Sequence, residues 1–150
     1  MNLNARAFRF VLVALGAISA FVALNVAFGG LETLGWQGPT EYFQVTDPDA
    51  FLIRDSHARF YGGVYAGIAA FLILASTDPR KYRQGLALTF VLIFLGGLAR
   101  LTQLNPDVVF GPDLFVSSLV ELAGMPALLL WLGKVTSVAH RTPDADAVAR

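Results

Sequence analysis

Apolar positions in this chain come in long unbroken runs, without the alternation of a half-buried strand. Four runs stand out: residues 10–28, 60–76, 85–101 and 114–133. The first two carry no charge, the third contains Arg100 and the fourth Glu121. A helix needs about 20 such residues to cross hydrocarbon. With their interfacial ends the predicted spans cover about 8–29, 58–77, 84–103 and 113–134. Continuous runs predict helices and not barrel strands, because a helix satisfies its backbone polar groups within one segment. The expected fold class is all-α: an integral membrane four-helix bundle over residues 1–135, then a disordered cytoplasmic tail over 136–150.

The connections differ in kind. Thr77-Asp78-Pro79-Arg80-Lys81-Tyr82-Arg83 is a short turn with a clear helix stop. Residues 29–57 form the longest non-spanning stretch and carry Trp36, Tyr42, Phe43, Phe51 and Ile53. That content predicts an ordered extracytoplasmic loop with a short interfacial helix over 39–45. Asp47 and Asp49 fall in a turn-like stretch and are expected to be solvated. A cleaved signal peptide is disfavoured for the first run, which is long for an h-region and ends in a poor cleavage site at Ala27-Phe28-Gly29.

Composition narrows the class further. Of the 150 residues 55% are hydrophobic and 15% charged, against about 25% charged in an average soluble domain. Disorder, a nucleic-acid module and an ordinary soluble enzyme are thereby excluded. The zero net charge selects no polyanionic partner. Without cysteine there are no disulfides, thiolate nucleophiles or iron–sulfur clusters. The two histidines, His57 and His140, fall on opposite sides of the membrane and cannot share a metal. No metal, cofactor or catalytic residue is expected. Phosphate-loop, dinucleotide, zincin and serine-hydrolase motifs are missing, and Ser117-Ser118 has only His57 on its side of the bundle.

The basic residues set an orientation. With both termini cytoplasmic, Arg6, Arg9, Arg80, Lys81, Arg83, Lys134, Arg141 and Arg150 lie inside, while Arg54, Arg59 and Arg100 lie outside or in the outer half. That asymmetry fits the positive-inside rule.

Three charges then fall within the spans, where an unpaired charge is costly. At helical phase Arg59 shares a face with Gly62 and Gly63, Arg100 with Gly96 and Gly97, and Glu121 with Ser117, Ser118 and Gly124. Small residues let membrane helices approach closely, so these glycines are expected at helix contacts. The three charges are expected to point inward, the two arginines flanking the glutamate. Asn25, Asp55, His57, Tyr61 and Tyr65 are nearby polar candidates, and Asn25, His57 and Tyr61 join the three charges as candidate ligand-binding residues. Pro126 removes a hydrogen bond just after Glu121 and is expected to kink the fourth span.

The stretch from Asp55 to Gly67, Asp78-Pro79-Arg80, Gly96-Gly97-Leu98-Ala99-Arg100 and Glu121 before Pro126 together resemble the domain-of-unknown-function family 4345, small bacterial four-helix membrane proteins. The resemblance covers about residues 8–133; His57 departs from it, standing where an acidic or small polar residue is expected. It implies four helices and a shared role for Arg59, Arg100 and Glu121. The chain is also distantly similar to the DoxX-like group, which implies a redox-associated subunit acting on a quinone or lipid. The family carries no established activity. The expectation is a non-enzymatic bacterial inner-membrane protein with a polar site in its outer half. That site would take a small amphiphile, a lipid head group or a membrane partner protein, with no nucleic acid involved and the oligomeric state left open. The alternatives are the redox subunit and a purely structural or assembly factor.

Overall fold

The computed structural model describes residues 3–37 and 45–137. The expected interfacial helix and tail fall almost wholly outside the described residues, as does His140. Every regular element described is helical. Helix α1 (Leu3–Gly29) runs into a 3-10 segment (Gly30–Gln37). Helices α2 (Pro48–Thr77), α3 (Arg83–Leu101) and the short α4 (Pro106–Val109) follow. The last rod comprises α5 (Phe115–Leu119), a π turn (Val120–Gly124) and α6 (Met125–Ser137). Four helical stretches are long and apolar enough to cross a membrane: Leu3–Thr33, Pro48–Thr77, Arg83–Leu101 and Phe115–Ser137.

Helix α2 starts ten residues before the expected span, so Phe51 and Ile53 of the expected outer loop lie on that helix and not in a free cap. The cause is local. Asp47 is the N-cap, its Oδ1 accepting from the backbone N–H of Asp49 at 3.1 Å and of Ala50 at 3.0 Å. Pro48 suits the first helical position, and Asp49 lies favourably in the first turn. Asp47 is therefore a capping group and not merely a solvated carboxylate.

The helices associate as antiparallel pairs. A Cβ built on Gly16 would meet Ile73 Cγ1 at 2.7 Å, and one on Gly62 would meet the Ala27 backbone nitrogen at 2.5 Å, so α1 and α2 touch along their length. Helix α3 lies along the last rod in the same sense. The continuous apolar core sits where the chain ends meet: Phe8 and Leu12 of α1, Leu72 and Ala75 of α2, Leu86 and Phe90 of α3, and Met125, Leu128, Leu132 and Val135 of α6. Trp131 clasps that terminal end. Its Nε1 donates to Asn4 Oδ1 at 2.6 Å, and its ring meets Phe8 edge-on at 5.2 Å. Phe10, Ile18, Phe21, Leu88 and Leu130 are exposed, as suits helices whose outer faces meet lipid.

At the opposite, loop end, polar contacts take over from the core. The hydroxyl of the fully buried Ser118 donates to the Val109 carbonyl at 2.7 Å and ties α4 to α5. Gly62 and Gly63 make a sharp comparison. Gly62→Val forces α1 and α2 apart and should cost about 1–3 kcal/mol. Gly63→Ala meets nothing within 4 Å and should leave stability unchanged or raise it. Thermal unfolding in detergent micelles measures both.

Candidate functional site

The loop end holds two arginine–carboxylate pairs. Asp55 and Arg59 stand one turn apart on α2, a spacing at which side chains meet. Arg59 Nε donates to Asp55 Oδ2 at 2.6 Å, and Arg59 Nη1 donates to the Phe28 carbonyl at the end of α1. Asp55 Oδ1 accepts from the Leu31 N–H at 2.7 Å. One carboxylate thus stitches α2 to the point where α1 turns into the 3-10 segment. Gly30 makes that turn with φ +69°, and a Cβ there would lie 1.9 Å from Asp55 Oδ1. Only glycine satisfies both the backbone angle and the close approach.

The second pair joins α3 to the last rod. Arg100 Nε donates to Glu121 Oε2 at 2.7 Å, and Arg100 Nη2 donates to Glu121 Oε1 at 3.0 Å, a two-pronged pair. Gly97 makes room for it: a Cβ there would meet Glu121 Cβ at 2.8 Å. Glu121 sits in the π turn, where the Met125 N–H reaches back to the Val120 carbonyl, one residue farther than in an α-helix. The next residue, Pro126, has no N–H with which to restore the α register. The expected disturbance around Pro126 therefore takes the form of a widened turn that includes Glu121. The Tyr65 hydroxyl borders this pair, 3.7 Å from where a Cβ on Gly96 would stand and in electrostatic range of Arg100.

Both pairs sit at the same height. Arg59 lies 18 residues before the end of α2 and Arg100 lies 17 residues after the start of α3, which places each about 26 Å along its helix from the connecting turn. Hydrocarbon is about 30 Å thick, so both guanidinium groups reach head-group level and not the bilayer centre. Their side chains are 44% and 39% exposed, while the partner carboxylates are 12% and 14% exposed. Each arginine is thus more exposed than the carboxylate it pairs with.

Several expectations change. The two arginines do not flank one glutamate; each has its own acid, because Asp55 is nearer to Arg59 along α2 than any group on the last rod. His57, Tyr61 and Asn25 are exposed and outside both pairs. Tyr61 meets Phe60 edge-on at 5.7 Å, and Asn25 Nδ2 donates back to the Phe21 carbonyl of its own helix at 2.7 Å. Of the five glycines expected at helix contacts, Gly62 and Gly97 touch a neighbouring helix tightly. Gly63 and Gly124 face away, being one helical step or more from the contact line, and Gly96 has only the Tyr65 hydroxyl near it. Asp55, Gly30 and Gly16 carry contacts that glycine-face reasoning passed over; for Asp55 the four-residue spacing to Arg59 was the available signal. Two hollows lie elsewhere. One of about 220 Å³ runs between Leu101 and Phe110, and a larger one occupies the terminal end.

A bundle of four apolar helices with paired arginines at one rim defines a class of membrane-spanning protein, and the comparisons give its family. Residues 7–132 match the family model described as Domain of unknown function (DUF4345), and the chain belongs to that family. No curated protein and no solved structure matches it.

Two outcomes follow from the pairs. Asp55→Ala strands the Leu31 N–H and the Arg59 guanidinium and should cost about 1–3 kcal/mol, with Gly30→Ala comparable. Exposed Arg54→Ala should change stability by less than about 0.5 kcal/mol. A double-mutant cycle with Arg100→Gln and Glu121→Gln should return a coupling of about 1–2 kcal/mol, above a surface pair and below a buried one, since Arg100 is partly exposed and Glu121 is shielded. Equilibrium unfolding of the four proteins in micelles reads it.

Proposed function

We propose that this protein is a non-enzymatic inner-membrane bundle that holds the polar head of a small amphiphile at its loop end. Both termini lie on the cytoplasmic side in this reading, since eight of the eleven basic residues then fall inside. The loop end is correspondingly extracytoplasmic. One observation carries the proposal: Arg59 and Arg100 each hold an acid and still keep 44% and 39% of their side chains exposed, near one face of the bundle. Guanidinium N–H groups not used in the pairs can donate to the oxygens of a head group arriving sideways from the leaflet, and the Tyr65 hydroxyl adds a polar contact beside Arg100. Exposed Phe60, Val64 and Phe110 supply apolar surface for its tail.

Native mass spectrometry of the detergent-extracted full chain tests this. A retained amphiphile is expected in the parent and should be held about tenfold or more less tightly in Arg100→Gln, the cost of a charge-assisted hydrogen bond. If Arg100→Gln and Glu121→Gln lose thermal stability but keep the same bound species at the same affinity, the pair only orders helices and the reading fails.

A further inference from the structure

The other end of the bundle carries a second arrangement of guanidinium groups. The turn between α2 and α3 stands there beside the start of α1 and the end of α6. A cleft of about 570 Å³ opens between them, lined by Ala5 and Arg9 of α1, the stretch from Thr77 to Arg80, and Val135 of α6. That volume lies within the range of small-molecule sites, about 300–1,000 Å³.

The charges in this cleft differ from those at the loop end. Among the described residues the ion pairs are those of Arg59 and Arg100, and among those residues Arg9 and Arg80 meet no carboxylate partner. The lining contains one acid, Asp78, and it is committed to the turn. Its Oδ1 accepts from the backbone N–H of Arg80 at 3.1 Å and of Lys81 at 3.2 Å. The Thr77 hydroxyl donates back to the Leu74 carbonyl at 2.7 Å. Two guanidinium groups, 71 residues apart in sequence, therefore line one cleft with a single carboxylate, whose Oδ1 is taken by backbone N–H groups. Arg9 stands 19 residues before Phe28, the carbonyl that holds Arg59, so it lies about 28 Å away along α1, close to one hydrocarbon thickness. The cleft is thus at head-group level of the opposite leaflet. Ala5, Pro79 and Val135 give it apolar wall as well as charge.

We propose that this cleft seats the phosphate of an anionic membrane phospholipid between Arg9 and Arg80. Forked guanidinium donors match phosphate oxygens in pairs, and basic pockets between membrane helices are suited to such head groups. Net positive charge in the cleft favours a head group with no cation of its own over a zwitterionic one. The inference requires the bundle to span a membrane but not the amphiphile site at the loop end.

Native mass spectrometry of the full chain in micelles tests it, with dioleoylphosphatidylglycerol, dioleoylphosphatidylcholine and inorganic phosphate as separate probes. The parent should bind one phosphatidylglycerol about tenfold more tightly than phosphatidylcholine. Arg9→Gln/Arg80→Gln should abolish that preference, while Arg83→Gln, at the same end but outside the cleft, and Arg100→Gln, at the other end, should retain it. Displacement of phosphatidylglycerol by millimolar inorganic phosphate supports the phosphate as the recognised group. Binding of inorganic phosphate without any lipid preference overturns the lipid assignment. A preference that survives the double substitution, or that Arg83→Gln lowers equally, overturns the site. Should the glutamine pair fail to fold, Arg9→Lys/Arg80→Lys keeps the charge and removes the fork; it should bind phosphatidylglycerol more weakly than the parent, and unchanged binding overturns the site.

Discussion

A guanidinium at the edge of hydrocarbon cannot shed its charge, and an acid that is itself spared from water fixes it in place. The loop half of this bundle is organised by that constraint. Its continuous apolar core stops near Met125 and Phe90, and beyond them two ion pairs join the close α1–α2 packing at Gly62 in aligning the helices. Asp55 fixes α2 against the exit of α1 through Leu31 and Arg59. Glu121 fixes the last rod against α3 through Arg100. The two devices share a chemistry but not a geometry. The first is closed within one helix turn and borrows a carbonyl from α1, whereas the second bridges helices and needs the bare surface of Gly97.

The two halves of the molecule are thereby held by different forces. Near the chain ends, Phe8, Leu12, Leu86, Leu128 and Leu132 make a close-packed core clasped by Trp131 and Asn4. Dispersion and exclusion of lipid stabilise that half without regard to charge. The opposite half adds to the packing at Gly62 a few directional bonds among Asp55, Arg59, Arg100 and Glu121. Basic groups lie at both rims but are used differently. At the loop end they are internally matched, and at the terminal end Arg9 and Arg80 are left to face a cleft.

The four spans were legible because hydrocarbon thickness imposes run length, and run length is visible without any contact being known. Gly62 and Gly97 were legible for a similar reason, since small residues on a shared face mark close approach. What could not be read was rotation about each helix axis to within one residue. Gly63 and Gly96 lie one step from true contact residues, and periodicity does not separate neighbours so near in phase. The start of α2 was hidden by Pro48 and two aspartates, which read as a turn although Asp47 before Pro48 is also how a helix begins. The partner of Arg59 is not decided by sequence, because a glutamate on another helix at the right depth competes with the aspartate one turn away on the same helix.

The π turn at Val120–Gly124 has a consequence for comparing lengths among family members. Such a turn is an α-helix holding one surplus residue, so it can be removed by a single-codon deletion without shortening any loop. A relative lacking that residue would align with a gap inside a transmembrane segment, where gaps are ordinarily taken for error. In that relative the helix surface on the α5 side would be rotated by about 100° relative to α6. Its acid would leave the line that meets Arg100, so that a one-residue length difference would be a difference in charge pairing.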